Sequence, residues 1–170
     1  KTRYMSNGQI NIPLVIRTAN GAGTKFGAQH SQSLENWSMA VPGLKVVAPS
    51  SPSDVIGLMT SAVNDPDPVI FYEHKSLYSM KENIKDTKID VPLGIANLLI
   101  TGSDTCIICL GLMVQRSKDA AIILKEKHNI RASVLDLRSL VPLDLQSIKR
   151  EVKKSGLVFI VEENPRLCGW

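Results

Sequence analysis

His30 stands in the run Gly27-Ala28-Gln29-His30-Ser31-Gln32, among glycines and short polar side chains. An imidazole, with an ordinary pKa of about 6.5, both gives and takes protons near neutrality, so it suits general acid–base work. A lone histidine is more often structural, and the loop alone leaves both readings open. Gln29, Ser31 and Gln32 could orient His30, but beside glycines such residues commonly just satisfy a loop's backbone. His74, in Glu73-His74-Lys75, reads as structural, and His128 follows a charged helix end where a cation complements the helix dipole. Cys106-x-x-Cys109 lies inside an apolar run, where the two thiols point to opposite faces of a strand and act as small hydrophobes. Gly21-Ala22-Gly23-Thr24 lacks the Gly-Lys-Ser/Thr ending of a phosphate loop and fits a flexible loop beside a site. Trp37, on the helix expected after the loop, reads as a packing or subunit-contact residue.

These residues need a scaffold. The β-branched run Ile12 to Arg17 predicts a strand feeding the glycine-rich segment, a helix is expected from about Ser33 to Met39, and Leu44 to Ala48 predicts a second strand. Ser50 to Asp54 offers N-capping side chains for a helix over Ser53 to Asn64, which Asp65-Pro66-Asp67-Pro68 stops before a strand at Val69 to Tyr72. Ser79 to Pro92 is polar, Lys/Asp-rich and aperiodic, the composition of a surface linker. Further strands are predicted at Cys106 to Leu110, Ser133 to Leu137 and Leu157 to Val161. Helices are predicted at Gln115 to His128 and Asp144 to Lys154, the latter with Leu145, Ile148 and Val152 inward. This alternation predicts an α/β protein with parallel sheets, whose ligands collect at the carboxyl ends of the strands, where the Thr18 to Gln32 segment lies.

Composition narrows the function classes. The 170 residues are 44% hydrophobic, enough for one or two domains. The net charge of +4 comes from interleaved rather than clustered charges, giving a nucleic-acid role little support. The longest apolar candidate, Cys106 to Val114, is about half a membrane span, and a soluble protein is expected. Three cysteines without dense spacing suit a reducing compartment rather than a disulfide framework. Lys1-Thr2-Arg3-Tyr4 has neither an initiator Met nor a signal-peptide plan, which suggests a cut through a longer protein.

The His30 run, followed by Pro42-Gly43-Leu44-Lys45-Val46-Val47 and Asp67-Pro68-Val69-Ile70, resembles the β subunits of pyruvate, branched-chain 2-oxo acid and acetoin dehydrogenases. The resemblance continues through Glu73 to Tyr78, Val134 to Asp144 and Val161-Glu162-Glu163, covering nearly the whole chain. It implies the later half of a transketolase-like pyrimidine-binding domain (residues 1–80), a linker (81–94) and a transketolase C-terminal-type domain cut short (95–170).

The resemblance also implies chemistry. Enzymes of this family add the ylid of thiamine diphosphate to a 2-oxo acid, lose CO2 and pass the acyl group to a lipoyl arm, and His30 resembles the histidine that supplies protons. The glutamate that activates the cofactor is expected upstream of Lys1, so no cofactor-binding residue is assigned and the chain alone is expected to be inactive. The diphosphate and its Mg2+ would be held by a separate α subunit. Expected partners are that α subunit, a second β subunit (α2β2) and a lipoylated acyltransferase core. Some members bind a structural K+ in the loop matching Asn64 to Pro68; by position its ligands would be Leu14, Ala62, Val63, Asp65 and Asp67, mostly through main-chain carbonyls, while a plain helix stop is the alternative. Pyruvate is the preferred substrate and bacterial cytoplasm the default compartment, with mitochondrion or plastid for a eukaryotic source. Rival readings are an acetoin dehydrogenase β subunit, another transketolase-type enzyme such as transketolase or deoxyxylulose-phosphate synthase, and a non-catalytic interaction fragment; Gln29-His30-Ser31-Gln32 and Glu73-His74-Lys75 favour the dehydrogenase over transketolase.

Overall fold

The computed structural model describes residues 1–85 and 89–170. After a short helix α1 (Thr2–Met5), the first half of the chain contributes strands β1 (Val15–Asn20), β2 (Lys45–Val47) and β3 (Val69–His74) and helices α2 (Glu35–Met39) and α3 (Pro52–Val63). The second half contributes β4 (Asn97–Ile100), β5 (Thr105–Cys109), α4 (Leu112–His128), β6 (Ala132–Asp136), β7 (Ser139–Val141), α5 (Leu145–Ser155) and β8 (Val158–Val161).

Local chemistry explains most boundaries. Ser51 caps α3 by accepting from the Asp54 N–H at 3.2 Å, and Pro52 takes the first turn, where its missing N–H costs nothing. Helix α4 ends on Asn129 and α5 on Gly156, both in the left-handed conformation that closes helices. The α/β expectation holds, with two four-stranded sheets ordered β1-β3-β2-β7 and β4-β6-β5-β8. Strand β3 lies between β1 and β2, parallel to both, and all six of its residues are buried, as a β-branched and aromatic run in a central parallel strand should be.

Two strands depart from the purely parallel reading. Short β4 pairs antiparallel with β6, and β7 pairs antiparallel with β2, placing Val141 opposite Val46 and Ser139 opposite Val47. Strand β7 comes from the second half of the chain and completes the sheet of the first. Neither short segment has the length or alternation that marks a strand in sequence.

Helix α5 forms as expected, but its inward face differs. Ile148 packs in the core, whereas Leu145 and Val152 are 52% and 36% exposed and the buried residues are Ser147 and Glu151. Asp144 sets this rotation: one carboxylate oxygen caps the Ser147 N–H at 2.9 Å while the other accepts from the Ala96 N–H at 3.0 Å, tying the helix start to the β4 approach.

The stretch read as a surface linker carries no helix or strand among its described residues, and 86–88 lie outside them. Its end is packed: Ile89, Val91 and Leu93 join Val47, Leu58, Val69 and Phe71 in the core between α3 and the first sheet. Gly57 makes room for it, since a methyl group there would meet Val91 Cγ2 at 2.4 Å. The largest core is shared by the two sheets, with Val46, Ile70 and Tyr72 meeting Cys106, Ile108, Leu110, Leu135 and Leu137. Cys109 belongs instead to the core under α4, so the two thiols do point to opposite faces of β5. Burial pushes Cys106 up to about 11 and Cys109 up to about 12, which leaves both inert.

Candidate active site

The carboxyl ends of β1 and β3 lie side by side, with Asn20 paired to His74 in register. The chain leaving β1 forms the glycine-rich loop and then one 3-10 turn, Ala28–His30, which leaves His30 exposed to solvent. Gly27 precedes that turn at φ +75°, and its carbonyl accepts from the Ser31 hydroxyl at 2.7 Å. Ser31 is thus a loop-closing residue, while Gln29 and Gln32 are exposed.

The segment leaving β3 holds this loop. Lys75 Nζ donates to the His30 carbonyl at 2.5 Å, and the Ser76 hydroxyl donates to the Ala22 carbonyl at 3.2 Å. The Gly21 N–H donates to Gln32 at 2.8 Å, closing the base of the loop. Gly21 has φ +85° and lies close against the His74 imidazole; a Cβ would sit 2.0 Å from its Nε2. Thr24, inside the same loop, has a buried hydroxyl with no partner.

Below the loop lies a buried polar layer. Asn20 donates to Glu35 Oε1 at 2.5 Å and accepts from the Leu34 N–H at 3.1 Å, fixing the start of α2 against the end of β1. Burial raises the Glu35 carboxyl above its usual range, opposed by its own backbone N–H and by the amides of Asn164 and Asn20. His74 is buried, accepts from the Ser76 N–H through Nδ1, and has Nε2 2.7 Å from Glu163 Oε2. That contact is close, but its angle falls short of a hydrogen bond. Glu163 and Asn164 follow β8, so the second half of the chain forms the floor under the loop borne by the first.

The sequence singled out His30 and the loop around it as candidates but assigned no role to Lys75, Ser76, Glu35 or Glu163. Glu73-His74-Lys75 and Val161-Glu162-Glu163 were visible as conspicuous runs; their meeting depends on how the sheets stack, which no local pattern encodes. Trp37 is 70% exposed on α2 and Phe26 is 64% exposed on the loop.

The candidate cation loop lies elsewhere, at the opposite end of β3. The Leu14 carbonyl accepts from the Val69 N–H at 2.8 Å, and the Ala62 carbonyl from the Asp65 N–H at 3.3 Å. Both carboxylates face cations of the chain: Lys45 Nζ is 2.6 Å from Asp65 and 3.6 Å from Asp67, and Arg3 is 3.4 Å from Asp67. The residues therefore fit a bound metal poorly, since an ion would compete with an ammonium already between the acids. Among the described residues no group of three or more His, Cys, Asp or Glu side chains is arranged to hold a metal, and no described helix is long and apolar enough to cross a membrane.

Comparison with known proteins agrees with this layout. The family "Transketolase, pyrimidine binding domain" matches residues 1–81 and "Transketolase, C-terminal domain" matches residues 94–170. The chain is 43% identical over 168 residues to the acetoin:2,6-dichlorophenolindophenol oxidoreductase subunit beta of Cupriavidus necator, covering 99% of this chain and 49% of that one. It is 42% identical over 170 residues to the pyruvate dehydrogenase E1 component subunit beta of Rickettsia bellii, covering 100% and 50%. The chain thus spans about half the length of these relatives. Among solved structures it superimposes on a split-gene transketolase, an inactive β4 tetramer, with TM-score 0.79 at 24% identity over 94% of this chain and 50% of that one, a likeness of fold.

Proposed function

We propose, from the premise that this chain belongs to the family of β subunits built from transketolase pyrimidine-binding and C-terminal domains, that it serves the decarboxylating component of a thiamine-diphosphate-dependent 2-oxo acid dehydrogenase, with pyruvate as substrate and a lipoyl arm as acyl acceptor. The observation that carries the proposal is His30, exposed on a braced turn at the carboxyl ends of two parallel strands, where α/β sheets bind ligands.

When bound, thiamine diphosphate supplies the nucleophilic carbon and the electron sink for decarboxylation. Within the glycine loop, Gly21 is packed on His74 rather than open to an anion. In this reading the cofactor is held mainly by an α subunit with Mg2+, and the exposed Phe26 and Trp37 fit a surface that such a subunit covers. A second β subunit and a lipoylated acyltransferase core complete the proposed assembly, and bacterial cytoplasm is the compartment that goes with it. The role of His30 is to donate an imidazole proton to the substrate's keto oxygen as that oxygen gains charge, and to take it back later. Lys75 fixes the His30 backbone, so the imidazole is delivered from one place. A structural K+ at Leu14, Ala62, Val63, Asp65 and Asp67 has less support, because Lys45 already neutralises both acids, and no step is routed through it.

The second reading, an acetoin dehydrogenase β subunit, is favoured by the identity to the Cupriavidus necator protein and by 42% identity to the corresponding Bacillus subtilis subunit. The two are separated by assembling the complete enzyme with its α subunit and measuring thiamine-dependent reduction of 2,6-dichlorophenolindophenol with pyruvate, branched-chain 2-oxo acids and acetoin in turn. Preference for pyruvate supports the first reading and preference for acetoin the second; activity with none of them overturns both.

A further inference from the structure

One carboxylate of the second half of the chain, Glu163, lies against the imidazole that carries the loop of the first half. Nδ1 of His74 accepts from the Ser76 N–H, which in the neutral ring leaves the proton on Nε2; Glu163 Oε2 lies 2.7 Å from that nitrogen, out of hydrogen-bond alignment. Gly21 rests on the same ring so tightly that a Cβ would lie 2.0 Å from Nε2, and its N–H donates to Gln32, two residues beyond His30. Ser76, whose N–H meets His74, donates through its hydroxyl to Ala22, and Lys75 between them donates to the carbonyl of His30. The ring position of His74 thus sets the base of the loop and, through its two successors, the height of the His30 turn.

We propose that Glu163 is a positioning residue that acts through His74, so that the C-terminal-type domain fixes where His30 stands. The proposal rests on the catalytic reading of His30. Among the described residues Glu163 makes no hydrogen bond or ion pair with His30 or the loop; its side chain is 22% exposed while that of His74 is 5% exposed, so the carboxylate lies over the ring from the second domain's side. Glu162 faces elsewhere, accepting from the Trp170 N–H at 3.0 Å, and Glu35 is engaged by Asn20 and Asn164. Glu163 is therefore the acid packed against the ring. An arrangement of this kind makes the active loop sensitive to how the two domains are seated, because a shift at the end of β8 moves the ring under Gly21.

The test is a double-mutant cycle in the complete enzyme assembled with its α subunit, measuring kcat with whichever of pyruvate or acetoin the wild type turns over. Glu163→Ala is expected to lower kcat about 10- to 100-fold in the wild type, the range a misplaced catalytic group costs, and by less than about twofold when His30 is already alanine. A factor that is equal in both backgrounds, or no loss in either, overturns the proposal while leaving His30 in place. If His30→Ala alone leaves kcat unchanged, the catalytic reading falls and takes the positioning role with it. Should Glu163→Ala fail to assemble, Glu163→Gln and Lys75→Met enter the same cycle, with the same non-additivity expected from each.

Discussion

His30 was singled out by the resemblance of its run to a family motif, since its type and its setting among glycines and polar side chains left a structural reading open. What sequence did not reveal is why it stands where it does. Its backbone is held by Lys75, and the loop base by Gly21 on His74, contacts between segments that meet only once β1 and β3 are paired. Gly21 carries the clearest prediction at this scale. Its φ of +85° and the imaginary Cβ 2.0 Å from His74 make alanine there both strained and obstructed. Gly21→Ala is expected to cost about 1 to 3 kcal/mol by denaturant unfolding and to lower kcat, because the ring or the loop must move. Unchanged stability together with unchanged kcat would contradict the packing described.

Strands and helices with strong periodicity were readable: the β-branched cores of β3, β5 and β6, and the Ser51-Pro52 start of α3, follow local rules. The short antiparallel strands β4 and β7 were not, since three or four residues carry no usable period and their pairing comes from tertiary placement. The inward face of α5 was misjudged for a related reason, the cap at Asp144 outweighing the apolar spacing of Leu145 and Val152. In the turn after α3, Lys45 between Asp65 and Asp67 makes a specific claim. Lys45→Met leaves Asp65 without its cation and Asp67 with Arg3 alone, and is expected to destabilise the chain by about 1 to 3 kcal/mol. Added K+ should raise the melting temperature of that variant more than that of the wild type. Equal responses of the two would contradict the view that lysine occupies the place an ion would take.

At the scale of the molecule, the two halves are more entangled than a linker reading suggests. Strand β7 completes the sheet of the first half, and a buried polar layer joins the halves: Arg138 meets Asp54 at 2.6 Å and the Ser50 hydroxyl donates to Asp136 at 2.5 Å. Burial pushes Asp136 up to about 7, opposed by the Ser50 hydrogen bond and reinforced by the charge of Asp54. Because the folded carboxyl keeps its proton where the unfolded one has lost it, this group makes stability fall as pH rises from about 4 to about 7. Asp136→Asn is expected to flatten that slope, by as much as about 1.4 kcal/mol per pH unit, in unfolding measured across the window. An unaltered slope would contradict the burial assigned to the carboxyl. The function proposed for the whole assembly rests on a single histidine, so the most direct measurement is the thiamine-diphosphate-dependent rate of CO2 release from pyruvate by the complete enzyme, wild type against His30→Ala. The account predicts a cofactor-dependent rate that falls about 10²- to 10⁴-fold in the variant with assembly intact; a cofactor-dependent rate that the substitution leaves unchanged would contradict it.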